Sequence, residues 1–207
     1  MVRRGYDLVS RAYRSDNAEE GAYGQWLDLL EARISAGSHV LDLGCGCGVP
    51  VARRLATRHQ VTGIDLSPVQ IERARELVPG AEFICGDMTT VEFKERSFDA
   101  VVCLFALIHI PLDEQPALLR KIHGWLRPGG VLLATVGHQA WTGVAENWLG
   151  VPGGDMWWSH ADAATYRQWL VDAHLHIDEE RFVPEDKGGH TLVLAHRGAE
   201  GAAGIAG

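Results

Sequence analysis

Cysteine and glycine alternate in the stretch "LDLGCGCGVP", Leu41 to Pro50, so two kinds of chemistry compete for it. A Cys-x-Cys pair such as Cys45 and Cys47 suits a metal or redox centre. Structural zinc, however, takes four ligands, and no second Cys/His pair stands at a matching spacing. The glycines fit a different use. At a turn from strand to helix they remove side chains that would block a ligand, and the helix N-terminus offers free N–H groups. The loop is therefore expected to cradle a ligand with its backbone, the thiols serving as filler. A second candidate set, His174, His176 and Asp178 in "HLHID", shares one strand face but lacks a fourth ligand. A solvated face is expected there, and no metal site.

Carboxylates recur after the loop at strand ends. Asp65 closes "VTGID", 23 positions after Asp42, where a doubly wound fold sets a carboxylate to accept both hydroxyls of a ribose. Asp87 follows in "FICGDM", placed to accept from an exocyclic amine such as that of adenine.

The elements that must position these groups are short apolar runs alternating with amphipathic stretches, the pattern of βα units and a parallel sheet. Strands are predicted over 39–43, 60–65, 81–85, 98–104 and 130–136, with helices over 51–57, 68–77 and 114–126. Ser67-Pro68 supplies an N-cap followed by proline in the first turn. "RPGG", residues 127–130, is expected to stop a helix and turn into the next strand. Two helical stretches, 6–13 and 22–34, precede the first strand. An irregular Trp-rich segment (138–159) and a helix (161–173) follow the fifth. Two last strands, 175–184 and 190–196, flank the polar turn "EDKGG", so the final one should run antiparallel.

In this order, "LDLGCGCG", "VTGID", "FICGDM" and "RPGGVLL" resemble the motifs of the class I S-adenosylmethionine-dependent methyltransferases, over about residues 39–135. "YDLVSRAY" and "ALIHIP" are similar to the branch that holds the ubiquinone and menaquinone C-methyltransferases and many small-molecule methyltransferases. The resemblance implies an α/β fold, a Rossmann-like three-layer sandwich whose mostly parallel seven-stranded sheet ends in an antiparallel strand. It implies a single methyltransferase domain over 1–198, with a helical lid (1–36) and a Trp-rich substrate segment (137–160). The tail, 199–207, is expected to be disordered.

The same resemblance implies S-adenosylmethionine as cofactor and S-adenosylhomocysteine as product. Asp42, Gly44, Cys45 and Gly46 then lie beside the methionine part, Asp65 holds the ribose and Leu66 meets the adenine. Gly86, Asp87 and Met88 border the adenine edge, Leu104 offers backbone to the amino group, and Tyr13 closes over the cofactor. A nicotinamide site would need glycine or alanine where Val49 stands.

Methyl transfer requires an aligned nucleophile, and a hydroxyl nucleophile must also lose a proton, for which histidine has a suitable pKa. Ten histidines are present. Ligands bind beyond the carboxyl ends of parallel strands, which favours His109, His138, His160 and His190 over His39 at the opposite edge. His109, His160 and His190 are the expected bases. Together with Tyr6, His138, Trp141 and Trp157 they are expected to contact substrate. Indole faces suit a flat aromatic or heteroaromatic molecule. Trp148 and Trp158 are expected to pack the loop itself.

A formal net charge of −8 argues against nucleic acid as partner, and the longest apolar run is too short to span a bilayer. The first ten residues lack the apolar core of a signal peptide. The four cysteines form no disulfide framework, so a cytoplasmic location is expected. The expected function is methyl transfer to an O, N or C nucleophile of a small aromatic metabolite, with natural-product biosynthesis suggested by the family. The alternative is a non-catalytic S-adenosylmethionine-binding regulatory or partner subunit.

Overall fold

The structure, a computed structural model, describes residues 1–185 and 188–199. Two helices, α1 (Val2–Tyr13) and α2 (Ala22–Glu31), precede the first strand. Then follow β1 (His39–Leu43), α3 (Val51–Leu55), β2 (Gln60–Asp65), α4 (Pro68–Leu77), β3 (Glu82–Cys85) and β4 (Phe98–Cys103). After α5 (Gln115–Trp125) come β5 (Leu126–Gly137), β6 (Trp141–Ala145), β7 (Met156–His160), α6 (Ala163–Asp172), β8 (Leu175–Glu185) and β9 (Gly188–Arg197).

Seven strands form one sheet in the order β3-β2-β1-β4-β5-β9-β8. β1 to β5 run parallel, and β9 lies antiparallel between β5 and β8. Period-two alternation builds a core on each face. On one face Leu41, Leu43, Val101 and Cys103 join Leu118 and Ile122 of α5 and Tyr166 and Leu170 of α6. On the other, Val40, Ala100 and Val102 join Trp26, Leu27 and Leu30 of α2 and Ile71 of α4. This is the expected three-layer arrangement. The order reverses between β1 and β4, and the crevice at such a switch point is where ligands bind.

Ser67 caps α4, its hydroxyl accepting from the Gln70 N–H at 3.1 Å, with Pro68 in the first turn. Two expectations need correction. The Trp-rich segment is not irregular: β6 and β7 pair antiparallel from Trp141↔His160 to Ala145↔Met156 as a separate ribbon. Its strands are short and dense in tryptophan, so no polar/apolar alternation marks them. Residues 127–130 do not turn the chain into β5. They bulge within it, the register stepping from Phe98↔Leu126 to Ala100↔Val131 while Arg127 grips Asp99 at 2.6 Å. The "EDKGG" turn lies partly, and the tail from residue 200 wholly, outside the described residues. Among the described residues no helix is long and apolar enough to cross a membrane.

Candidate active site

The loop after β1 meets the turn after β4 at closer range than side chains permit. Gly44 has φ +74°, and a Cβ there would lie 2.3 Å from Ala106 Cβ. Only glycine fits both the angle and the gap. Asp65, at the end of β2, is clamped by backbone: Oδ2 accepts from the Gly46 N–H at 2.9 Å and Oδ1 from the Ser67 N–H at 2.8 Å. Burial raises its pKa to about 6 against the pull of those two donors. Asp42 is also buried, and its Oδ2 has no hydrogen-bond partner. Burial, then the neighbouring Asp65 charge, raises its pKa to about 7.

A cavity of about 390 Å³ opens over this edge, within the usual range of ligand pockets. Gly44, Gly46, Asp65, Leu66, Met88 and Leu104 line it. Gly86 and Asp87 border it too, and Asp87 Oδ1 accepts from the Thr89 N–H and hydroxyl at 2.8 Å each. Asp42 and Cys45 face a small adjoining cavity instead, shared with Tyr13, Arg14 and Tyr23. An orphaned buried carboxylate oxygen, a side-chain-free cradle and a clamped ribose-type aspartate fit S-adenosylmethionine. Of the cysteines in the loop, Cys45 has its thiol pKa pushed well up by burial, so the sulfur is inert at neutral pH.

A second cavity of about 1130 Å³ adjoins the first. Tyr6, Tyr13, Phe105 and His109 line both. His109 Nδ1 lies 2.7 Å from the Trp157 carbonyl oxygen, which can only accept, so Nδ1 carries the proton. Nε2 then accepts from the Tyr6 hydroxyl at 2.9 Å. Burial lowers the His109 pKa to about 4, opposed by the Trp157 carbonyl, and drives the Tyr6 phenol well above its usual value. Phe105 holds φ +56°, a strained angle for an aromatic residue, while its N–H donates to Thr135 Oγ1 at 2.5 Å.

Aromatic rings close the junction. Tyr6 meets Tyr13 and Trp148 at 5.6 and 5.9 Å between centroids, and Trp158 meets Trp148 and His109 at 5.3 and 5.4 Å. These separations are typical of edge-to-face and tilted pairs. His138, His160 and His190 line the larger cavity, as expected for the carboxyl edge. His190 Nδ1 is 3.1 Å from Glu185 Oε2 without hydrogen-bond geometry, and His160 Nδ1 is buried with no partner. Trp141 lies on the larger cavity, whereas Trp157 lies on the smaller one, its carbonyl fixing His109. Trp148 and Trp158, assigned to loop packing, also line the larger cavity. Sequence reasoning missed Arg14, Tyr23 and Phe105, which no motif marks. Among the described residues no group of three His, Cys, Asp or Glu is placed to hold a metal ion.

A family model described as a methyltransferase domain matches residues 40–130. A carboxy-S-adenosyl-L-methionine synthase of Geobacter metallireducens is 42% identical over 113 residues, covering 47% of this chain and 44% of its own length. Phosphoethanolamine N-methyltransferase 1 of Triticum aestivum is 38% identical over 114 residues, covering 53% and 22%. An uncharacterized methyltransferase of Synechocystis is 32% identical over 144 residues, covering 70% and 65%. The chain thus spans about half the length, or less, of the first of these curated relatives.

Two solved structures share the fold. The Burkholderia thailandensis 1,6-didemethyltoxoflavin-N1-methyltransferase, with its acceptor and S-adenosylhomocysteine bound, has TM-score 0.70 at 22% identity, covering 94% of this chain and 87% of the other. The [4+2]-cyclase SpnF has TM-score 0.71 at 22% identity, covering 95% and 96%. At such identities the likeness concerns the fold alone. The motif order, the methyltransferase domain matched over residues 40–130 and the sheet topology all agree with the class I S-adenosylmethionine-dependent methyltransferase family that the sequence resembles.

Proposed function

We propose that the chain transfers a methyl group from S-adenosylmethionine to an O, N or C nucleophile of a small aromatic or heteroaromatic metabolite. The observation that carries this is the meeting of two cavities on four shared side chains, Tyr6, Tyr13, Phe105 and His109. One cavity has the glycine cradle and carboxylates of a nucleoside site; the other is walled by indole, phenol and imidazole rings. Relatives named for phosphoethanolamine and for didemethyltoxoflavin support a small-molecule acceptor.

Bound S-adenosylmethionine supplies an electrophilic methyl group on a sulfonium. Asp65 would hold the ribose, Leu66 and Met88 the adenine, and Asp42 the amino end. The chain's remaining work is to align a nucleophile, exclude water and move a proton. Because Tyr6 donates to His109 Nε2, its oxygen keeps a lone pair for an acceptor O–H or N–H. The acceptor's proton passes to Tyr6 Oη as Tyr6 gives its own to Nε2, and the Trp157 carbonyl steadies Nδ1–H. His109 is uncharged near neutral pH, so its Nε2 lone pair is available, although the burial that lowers its pKa to about 4 also makes it a weak base. His160 and His190 are the other candidate bases for an acceptor seated deeper in the larger cavity.

Methyl-labelled S-adenosylmethionine, incubated with the protein and a cell extract, tests the reading. Label should enter a small molecule. Label in RNA or protein would overturn the acceptor class. No transfer despite S-adenosylhomocysteine binding would favour the non-catalytic subunit. With an acceptor that must lose a proton, Tyr6→Phe should lower kcat about 10²–10⁴-fold while S-adenosylhomocysteine affinity stays near wild type. Unchanged kcat in both Tyr6→Phe and His109→Asn would remove the proton relay.

A further inference from the structure

We propose that Arg14 is a carboxylate-binding residue of this site, a role that rests on reading the pocket as one for S-adenosylmethionine and its acceptor. The guanidinium is half-buried between two tyrosine rings, 5.3 Å from the Tyr13 centroid and 5.0 Å from that of Tyr23. It donates to Tyr23 Oη at 3.1 Å. Its backbone is fixed as well, the Arg14 carbonyl accepting from Arg73 Nη2 at 2.7 Å. The head group is therefore pre-organised, and its polar side-chain partners are the Tyr23 and Tyr13 hydroxyls, so N–H donors of its five remain for a ligand.

What Arg14 lacks is an acid. Among the described residues no carboxylate lies within 4.0 Å of it, although the chain carries 27 acidic residues against 19 basic ones. Of the acids near it, Glu19 also lines the larger cavity but makes no ion pair with the guanidinium, and three others have partners of their own. Asp16 pairs with Arg73 and Arg11, Glu20 pairs with Arg54, and Glu185 sits against His190. A half-buried cation gains from a counter-ion, and a guanidinium fork matches a carboxylate in two parallel hydrogen bonds. Arg14 also stands where ligands meet. It lines the larger cavity and the small one that contains Asp42 and the glycine loop. Asp42 and Arg14 thus place opposite charges on the walls of one small cavity, a pairing suited to an amino-acid zwitterion. The carboxylate comes from one of two sources: the amino-acid end of the cofactor, or an acidic acceptor in the larger cavity.

The test compares wild-type protein, Arg14→Gln and Arg14→Lys by calorimetric titration. The first arm uses S-adenosylhomocysteine and S-adenosyl-3-thiopropylamine, the same molecule without its carboxylate. The second arm uses S-adenosylhomocysteine-loaded protein titrated with 2-naphthoate and with neutral 2-naphthamide. If the cofactor supplies the group, Arg14→Gln weakens S-adenosylhomocysteine at least tenfold and leaves the decarboxylated ligand unchanged. If the acceptor supplies it, Arg14→Gln keeps S-adenosylhomocysteine affinity and loses the preference for naphthoate over naphthamide. Arg14→Lys should recover part of either loss. An Arg14→Gln protein that binds S-adenosylhomocysteine like wild type, with no naphthoate preference lost, overturns the proposal. Wild-type protein that fails to bind S-adenosylhomocysteine at all overturns the cofactor reading and this proposal with it.

Discussion

Asp42 and Asp65 lie at the carboxyl ends of neighbouring parallel strands, Asp42 buried and Asp65 partly so, and both are held above the usual carboxylate range. In an unfolded chain each would titrate near pKa ~3.9. A folded pKa raised above the unfolded one means the folded state holds its protons more tightly. Stability without ligand should therefore fall as pH rises from about 4 through about 6 to 7, then level off once both states are ionised. A cationic ligand reverses the cost of ionising them. S-Adenosylmethionine should then bind on the order of tenfold more tightly at pH 8 than at pH 5.5, with protons released to the buffer. Calorimetry in buffers of different ionisation enthalpy reads both quantities, and Asp42→Asn should flatten the part near pH 7. An affinity constant over that range, without proton release, would contradict the assignment. Their positions were legible in the sequence because loop and strand-end spacing place them. Their protonation was not, since it depends on an orphaned oxygen and on burial. The Tyr6–His109 bond was equally hidden, as its partners lie 103 residues apart.

At the level of elements, strands flanked by turn residues read off the sequence almost to the residue, as with β1 and β2, because short runs rich in Val, Leu and Ile between turns mark strands covered on both faces. Elements built by tertiary contact did not. The β6–β7 ribbon is held by ladder pairing and stacked indoles rather than by any local preference. One irregular position was readable and carries a prediction. His174 follows α6 where glycine or asparagine is usual, and it adopts φ +58°. A left-handed angle costs a residue with a Cβ roughly 1–2 kcal/mol, and glycine gives back part of that gain as unfolded-state entropy. His174→Gly should therefore stabilise the protein by about 0.5–1 kcal/mol. Urea denaturation would show the midpoint rise, with S-adenosylhomocysteine affinity unmoved because His174 lines neither cavity. A lower midpoint would mean that the His123–His174 ring contact, at 5.9 Å, outweighs the backbone term.

For the molecule as a whole, the two cavities draw their walls from segments spread between Met1 and His190, so a ligand there ties together parts of the chain far apart in sequence. α1 forms one wall without joining the sheet. Buried polar contacts fasten it instead: Arg73 donates to the Ser10 carbonyl at 2.8 Å and to Ser10 Oγ at 2.6 Å, and Ser67 Oγ donates to Asp7 at 2.6 Å. Such contacts hold only while water stays out, which makes α1 the wall most dependent on what fills the pocket. Ligand present at a hundred times its Kd adds about 2.7 kcal/mol to the folded state. For a chain of this size that is a rise in Tm of roughly 5–10 °C. Saturating S-adenosylhomocysteine should produce that shift, and Asp65→Ala should abolish most of it. Four of the seven tryptophans, Trp141, Trp148, Trp157 and Trp158, lie in or beside the ribbon, so emission is weighted toward it and the α1 contact, while far-UV circular dichroism reports the sheet and its helices. If α1 and the ribbon unfold with the sheet, both signals move together on adding ligand. If they form a looser unit, tryptophan emission melts first in free protein, and ligand closes the gap between the two transitions.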